Sequence, residues 1–168
     1  MAEDHEYHLK FMKRAVEVTL EGLKINGGPF GCVIVKDGKI VGEGHNMAVI
    51  NSDSTAHGEI SAIRDACKNL KAWHLEGCDL YTTCQPCPMC FGAIHWARIK
   101  RVFYGVSDED AAKIGFDDFG YDEVKKDITD PTKKIPFQQI GREDALRIYA
   151  AFENNPDRVV DAPNYNKK

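Results

Sequence analysis

The chain contains TAHGE at residues 55–59 and QPCPMC at residues 85–90, and these two stretches decide how the rest is interpreted. Reduced to their spaced residues they read H-x-E and P-C-x-x-C, with 27 residues between Glu59 and Cys87. Either pattern alone occurs by chance in many proteins. Together they place one imidazole, two thiols and one carboxylate at the starts of two predicted helices, an arrangement typical of metal chemistry.

Working outward from these stretches, the spacing of apolar residues alternates between helical and strand periods. The predicted elements, in chain order, are a helix over 7–24, strands over 30–35 and 40–46, a helix after Thr55, a strand over 78–83, a helix over 88–97, a strand over 101–104, a helix around 108–113 and a helix over 142–153. Asp37-Gly38 is typical of a hairpin turn between the first two strands. Thr55 is predicted to cap the helix that follows it.

This order of elements predicts an α/β fold, a three-layer αβα sandwich with a central mixed sheet. The length of 168 residues fits one domain with a real core, so we expect a single domain over 1–168. Its last segment, 154–168, shows no periodicity and is predicted to form a C-terminal tail.

The cysteines of the second stretch are placed to bind a metal ion. Cys87 and Cys90 are three residues apart, so they share a face on one turn of helix, and Pro88 suits the first helical position. Cys87 then lies at the positive end of the helix dipole, which favours its thiolate. With His57 these cysteines form a nitrogen and sulfur ligand set that predicts Zn²⁺. Three protein ligands leave a fourth position for water, as in catalytic sites.

Glu59 is two residues from His57, so the two side chains point to different sides of their helix. We therefore expect Glu59 to move protons beside the metal instead of binding it. A closed structural site is the alternative, with Cys84 as a fourth ligand to His57, Cys87 and Cys90. The direction of the chain disfavours it, because Cys84 ends a strand while the other cysteines lie at the helix start. Disulfide exchange is disfavoured too, since no thioredoxin-like context surrounds these residues.

Composition excludes several classes of protein. Hydrophobic residues make up 43% of the chain and the net charge is −4. No apolar run approaches the ~18 residues of a membrane helix, and the acidic, polar start is not a secretory signal, so we expect a cytoplasmic protein. The negative charge argues against a nucleic-acid partner, since such binding relies on Lys and Arg. Six cysteines without an export signal favour metal binding over disulfides.

The combination of H-x-E with P-C-x-x-C is the pattern of zinc-dependent nucleobase deaminases. The chain resembles the cytidine-deaminase-fold superfamily, and within it the bacterial guanine deaminases. The segments that carry the resemblance are 27–31, 44–47, 55–59, 86–94 and 115–118. The last of them, Gly-Phe-Asp-Asp, favours guanine. Gly58 stands where the superfamily more usually has Ala.

The resemblance implies a zinc-dependent hydrolysis of guanine, a small-molecule nucleobase, to xanthine and ammonia. Glu59 and Asp118 match the acidic residues that handle protons in this family. The family also implies a homodimer in which the tail 154–168 is exchanged between subunits. The residues that the resemblance assigns to substrate binding are Asn46, Phe30, Trp96 and Tyr165. Of these, Asn46 would hydrogen-bond the base, Phe30 and Trp96 would stack on it, and Tyr165 would cap the partner's site.

Other functions stay open at this point. Guanosine, cytosine or a related aminated ring are alternative substrates within the same chemistry, and adenosine in tRNA is disfavoured by the net charge. A zinc-stabilised binding module without catalysis is a different class, as is a redox or metal-storage protein. The presence of Glu59 argues against a purely structural zinc site, which has no use for that carboxylate.

Overall fold

A computed structural model describes residues 2–116 and 137–158 of the chain. The helices and strands within these ranges are α1 Ala2–Leu23, β1 Gly31–Lys36, β2 Lys39–His45, α2 Ala48–Asn51, α3 Gly58–Leu70, β3 Asp79–Cys84, α4 Pro88–Trp96, β4 Arg101–Val106, α5 Asp108–Ala112, β5 Phe137–Gln139 and α6 Arg142–Glu153. None of the described helices has both the length and the apolar character needed to cross a membrane.

The five strands form one mixed sheet in the order β2-β1-β3-β4-β5. β1 pairs antiparallel with β2 and β3, whereas β3–β4 and β4–β5 are parallel pairs. The turn between β1 and β2 is formed by Asp37 and Gly38, both with positive φ (50° and 75°), which confirms the predicted hairpin. In the strand order β2-β1-β3-β4-β5, β3 is the central strand.

Helices cover both faces of this sheet. On one face, Ala62 and Ala66 of α3 and Ile94 of α4 pack with Ile34 and Leu80 of the strands. The opposite face carries α1, whose Phe11, Met12 and Ala15 pack with Val33 and Tyr81, and α6, whose Ile148 and Phe152 pack near Val106. The predicted three-layer αβα sandwich with a mixed sheet is confirmed.

The structure corrects the predicted start of α3. Thr55 is not its N-cap: the Thr55 backbone N–H and hydroxyl donate to the carboxylate of Asp53 at 2.9 and 2.7 Å, forming a local turn. The helix begins two residues later, so His57 occupies the N-cap position. The short α2 and β5 were not predicted, because four and three residues are too few to show a period.

Two glycines let α3 lie directly against the hairpin. A Cβ atom placed at Gly44 would be 2.4 Å from the backbone N of Ala62, and one at Gly42 would be 2.6 Å from the Ala62 backbone O. No side chain fits in that space, so strand and helix backbones are in contact. The first turn of α3 is thereby held at a fixed height above the sheet.

A buried carboxylate joins α5 and α6, the helices described after β4. Asp110 of α5 accepts a hydrogen bond from Arg142 Nε of α6 at 2.9 Å and forms a capping box with Ser107. The Arg142 guanidinium and, less strongly, the Lys113 ammonium hold the pKa of Asp110 well below its usual range.

We therefore expect Asp110→Asn to be roughly 1–3 kcal/mol less stable at pH 7, the usual range for a hydrogen bond to a charged group. Because the folded-state pKa lies below the unfolded value of about 3.9, this contribution is complete above that pH. It is lost as pH falls through the folded pKa. Thermal unfolding from pH 7 to pH 3 should show the difference between wild type and variant shrinking below about pH 4.

Glu109→Gln is the matched control, because Glu109 is the exposed neighbour of Asp110 on the same helix. It should change stability little across this range. A stability gap for Asp110→Asn that is constant with pH would show that the charge of Asp110 contributes nothing.

Candidate metal centre and active site

The three predicted ligands lie at the starts of two neighbouring helices. His57 is the N-cap of α3 and Cys87 is the N-cap of α4, both with extended backbone, and Pro88 follows at the first helical position. An N-cap side chain usually bonds the first-turn N–H groups, but neither His57 nor Cys87 does so. Both side chains are instead directed at each other and at Cys90, one turn into α4.

The distances within this group fit tetrahedral zinc. His57 Nδ1 lies 3.6 Å from the sulfur of Cys87 and 3.6 Å from the sulfur of Cys90. Bond lengths of about 2.0–2.1 Å to nitrogen and 2.3 Å to sulfur place two tetrahedral ligands about 3.5–3.6 Å apart. These ligand atoms all lie within 4.8 Å of one another and form the metal-binding group found among the described residues. The donor set, one imidazole and two thiols, is one that zinc prefers.

The pKa values of the two thiols are shifted in opposite directions. A hydrogen bond from Cys90, assisted by His57, lowers the pKa of Cys87 well below its usual range. The same contact with Cys87, together with burial, raises the pKa of Cys90. The pair therefore carries a negative charge that attracts a cation.

Cys84 lies outside the metal-binding group. It is buried at the end of β3, where its sulfur faces the backbone O of Ser107 at 3.9 Å and it packs with Val106 and Tyr149. The closed four-ligand site is therefore not supported, and the group has three protein ligands.

Glu59 is buried beside the metal-binding group, with 5% of its surface exposed. Its Oε1 accepts a hydrogen bond from the Thr82 hydroxyl at 3.1 Å, and its Oε2 lies 3.4 Å from the sulfur of Cys90. Burial raises the pKa of Glu59, the charge of Cys87 adds to this, and His57 opposes it. A carboxyl group whose pKa is raised towards neutrality is suited to both taking and giving a proton.

Two of the predicted substrate-binding residues, Asn46 and Phe30, are joined to each other, and Phe30 lies against the start of α3. The backbone N of Asn46 donates to the backbone O of Phe30 at 2.8 Å, and Asn46 Oδ1 accepts from the backbone N of Ala48 at 3.1 Å. A Cβ atom at Gly28 would come within 3.0 Å of the Asn46 side chain. One at Gly58 would be 3.2 Å from the backbone O of Phe30, so the glycine that replaces the usual Ala keeps α3 close to Phe30.

The remaining predicted residues are placed differently or fall outside the described ranges. Trp96 is the last residue of α4, and 81% of its surface is exposed. Its stacking role stays a prediction. Asp118 and Tyr165 lie outside the described residues, so their roles also stay predictions.

Sequence reasoning missed Thr82 and Thr83. Thr82 donates to Glu59, and the hydroxyl of Thr83 accepts a hydrogen bond from the backbone N of Gly31 at 3.0 Å. The sequence signal that could have identified them is two adjacent threonines in a buried strand, because a buried hydroxyl needs a hydrogen-bond partner.

Comparisons with known proteins agree with this geometry. Residues 5–106 match the family model of the cytidine and deoxycytidylate deaminase zinc-binding region. The chain is 51% identical over 149 residues to guanine deaminase from Bacillus subtilis, covering 88% of this chain and 94% of that protein. It is 41% identical over 120 residues to the tRNA-specific adenosine deaminase of Haemophilus influenzae, covering 68% and 69%. The X-ray structure of guanine deaminase from Bacillus subtilis superposes with a TM-score of 0.66 at 47% identity, covering 90% and 97%.

The three-ligand geometry predicts which cysteines hold zinc. We expect Cys90→Ser to lose most bound zinc, because it removes one of three donors, whereas Cys84→Ser should retain one zinc per chain. Zinc can be measured by mass spectrometry of the purified protein after dialysis against a weak chelator. Cys84→Ser is the matched control, since it makes the same change in a buried cysteine of the adjoining strand. Equal loss of zinc from both variants would contradict the three-ligand site.

Proposed function

The chain belongs to the family of zinc-binding cytidine and deoxycytidylate deaminases, and we propose that it hydrolyses guanine to xanthine and ammonia. The metal-binding group with Glu59 buried beside it is the observation that supports the hydrolysis. The relative named guanine deaminase, which is 51% identical over nearly the whole of both proteins, supports guanine as the substrate.

His57, Cys87 and Cys90 would hold the zinc ion. When bound there, zinc makes a water molecule nucleophilic near neutral pH. Glu59 would take a proton from the attacking water as the water oxygen bonds to C2 of guanine, and would pass this proton to a ring nitrogen. Glu59 then takes the remaining proton from the attacking oxygen and delivers it to the amino group, so that the C2–N bond breaks, ammonia leaves and the C2 carbonyl of xanthine forms. One water is consumed for each ammonia formed, so the reaction needs no further reactant.

Substrate binding is assigned to residues around the start of α3. Asn46 is held by its bond to Ala48, which leaves its side-chain amide nitrogen to bind an acceptor on the ring. The ring of Phe30 meets that of Phe116 edge to face at 4.9 Å, so it offers a fixed apolar wall. We assign Asp118 to the second proton-handling role, and Trp96 and Tyr165 to the remaining walls, on the resemblance alone.

Adenosine in tRNA is the rival substrate, because a tRNA-specific adenosine deaminase is 41% identical to part of the chain. That match covers 69% of the relative, compared with 94% for the guanine deaminase. The net charge of −4 also disfavours a polyanionic substrate.

We expect the zinc-loaded protein to release ammonia from guanine far faster than from guanosine, cytosine, adenine or a tRNA anticodon stem-loop. Glu59→Gln should lower kcat on guanine roughly 10²–10⁴-fold while zinc stays bound, because it removes a general acid and base. Glu153→Gln, an exposed change at the end of α6, is the control and should be fully active. Preference for another ring would overturn the substrate assignment, and an active Glu59→Gln would overturn the mechanism.

A homodimer is part of the proposal, with one domain per chain and a cytoplasmic location. The α4 sequence is apolar on nearly all sides, yet Met89 and Trp96 are exposed on the described chain. A helix that is apolar all round is usually buried, which supports a second copy covering this face. Exchange of the tail 154–168 between subunits rests on the resemblance.

Sedimentation equilibrium should therefore give a mass of two chains. Trp96→Glu should shift the protein towards monomer, because it places a charge in the proposed interface. Trp73→Glu is the matched control: Trp73 is 63% exposed on the loop after α3, and its replacement should leave the dimer intact. A dimer unaffected by Trp96→Glu would place the interface elsewhere.

A further inference from the structure

Thr82 lies at the centre of the sheet, directly below Glu59. It is 1% exposed on β3, the central strand, where its Cα is paired with Cys32 of β1 and Tyr104 of β4. A residue flanked by paired strands on both sides has little backbone freedom. The Thr82 hydroxyl is therefore a donor in a fixed position.

This donor contacts one of the two oxygens of Glu59. The Thr82 hydroxyl donates to Oε1 at 3.1 Å, while Oε2 is the oxygen nearer the metal-binding group, 3.4 Å from the sulfur of Cys90. Because an ionised carboxylate only accepts hydrogen bonds, a donor on Oε1 determines which oxygen is left to exchange protons. Thr82 is not part of the metal-binding group, so its contact to Glu59 does not depend on the metal ligands.

Packing alone does not account for a threonine here. Leu80, Ile34 and Val102 form the apolar core below α3 and α4 on this side of the sheet. Valine has nearly the same shape and would fill this space without a buried hydroxyl, which costs free energy unless it is bonded. Compared with valine, threonine adds a hydroxyl that donates a hydrogen bond to Glu59.

We infer that Thr82 is a positioning residue, which holds the Glu59 side chain in the orientation that presents Oε2 to the attacking water and the leaving amine. The inference rests on the proposed function for its kinetic consequence, although the orientation of Glu59 is measurable without it. The hydrogen bond recorded for the Thr82 hydroxyl among the described residues goes to Glu59 and not to a metal ligand, so we expect its loss to lower kcat and to leave KM nearly unchanged.

The test compares three variants with wild type, using zinc-loaded protein and guanine. Thr82→Val should lower kcat roughly 10–100-fold, because a misplaced catalytic group loses about that much, with KM within about twofold and one zinc per chain. Thr82→Ser should recover most of kcat, since it restores the hydroxyl. Thr19→Val is the matched control: it removes a fully buried hydroxyl that bonds only its own helix, at Ala15 O, and should retain wild-type kcat.

A double variant distinguishes positioning from general loss of structure. If Thr82 acts through Glu59, adding Thr82→Val to Glu59→Gln should change kcat less than about twofold, whereas independent effects would multiply. Full kcat in Thr82→Val, or multiplied effects in the double variant, would overturn the inference.

A crystal structure of Thr82→Val gives a reading that does not depend on the substrate. Glu59 should leave the rotamer seen here or occupy more than one, and an unchanged single rotamer would contradict the inference. An inactive wild type would instead count against guanine as substrate, and the Glu59 rotamer would still decide the role of Thr82.

Discussion

Ligand atoms about 3.6 Å apart are required by a tetrahedral zinc site of this kind, and the fold is organised to bring two helix starts within that distance. His57 and Cys87 occupy the N-cap positions of α3 and α4 without capping them, which leaves both side chains for each other and for Cys90. The contact of α3 with β2 through Gly42 and Gly44 sets the position of one helix. The short connection from the central strand β3 sets the position of α4.

Glu59 lies in the first turn of α3 and is buried there, and that burial affects its chemistry. A carboxylate taken out of water loses solvation, so its pKa rises. The protein offsets part of this cost with the Thr82 hydroxyl. The same environment that disfavours the charge therefore raises the proton affinity of Glu59, which is the direction that suits a general acid and base. The burial of Glu59 therefore costs free energy of folding and also raises the pKa of its carboxyl group.

The sequence was most informative where residue type and spacing state the chemistry directly. His57, Cys87 and Cys90 could be predicted as one group because few other residues bind zinc, and helical spacing places the two cysteines together. The α/β order also followed from periodicity. Contacts between distant strands and helices carry no such pattern, so Thr82 was missed. The N-cap of α3 was wrongly predicted because Thr55 has the right chemistry but bonds Asp53 instead.

The reaction type and the substrate are inferred from different observations on this chain. The family match ends at residue 106 and contains the metal-binding group, Glu59 and Thr82. A relative named for adenosine in tRNA and one named for guanine both align with this chain, so the shared zinc chemistry does not by itself select a ring. Selection must come from side chains that differ between such relatives. The candidates that the sequence offers lie on both sides of the end of the family match, with Asn46, Phe30 and Trp96 inside it and Asp118 and Tyr165 beyond it. Their roles are proposals, so the reaction type is easier to infer than the substrate.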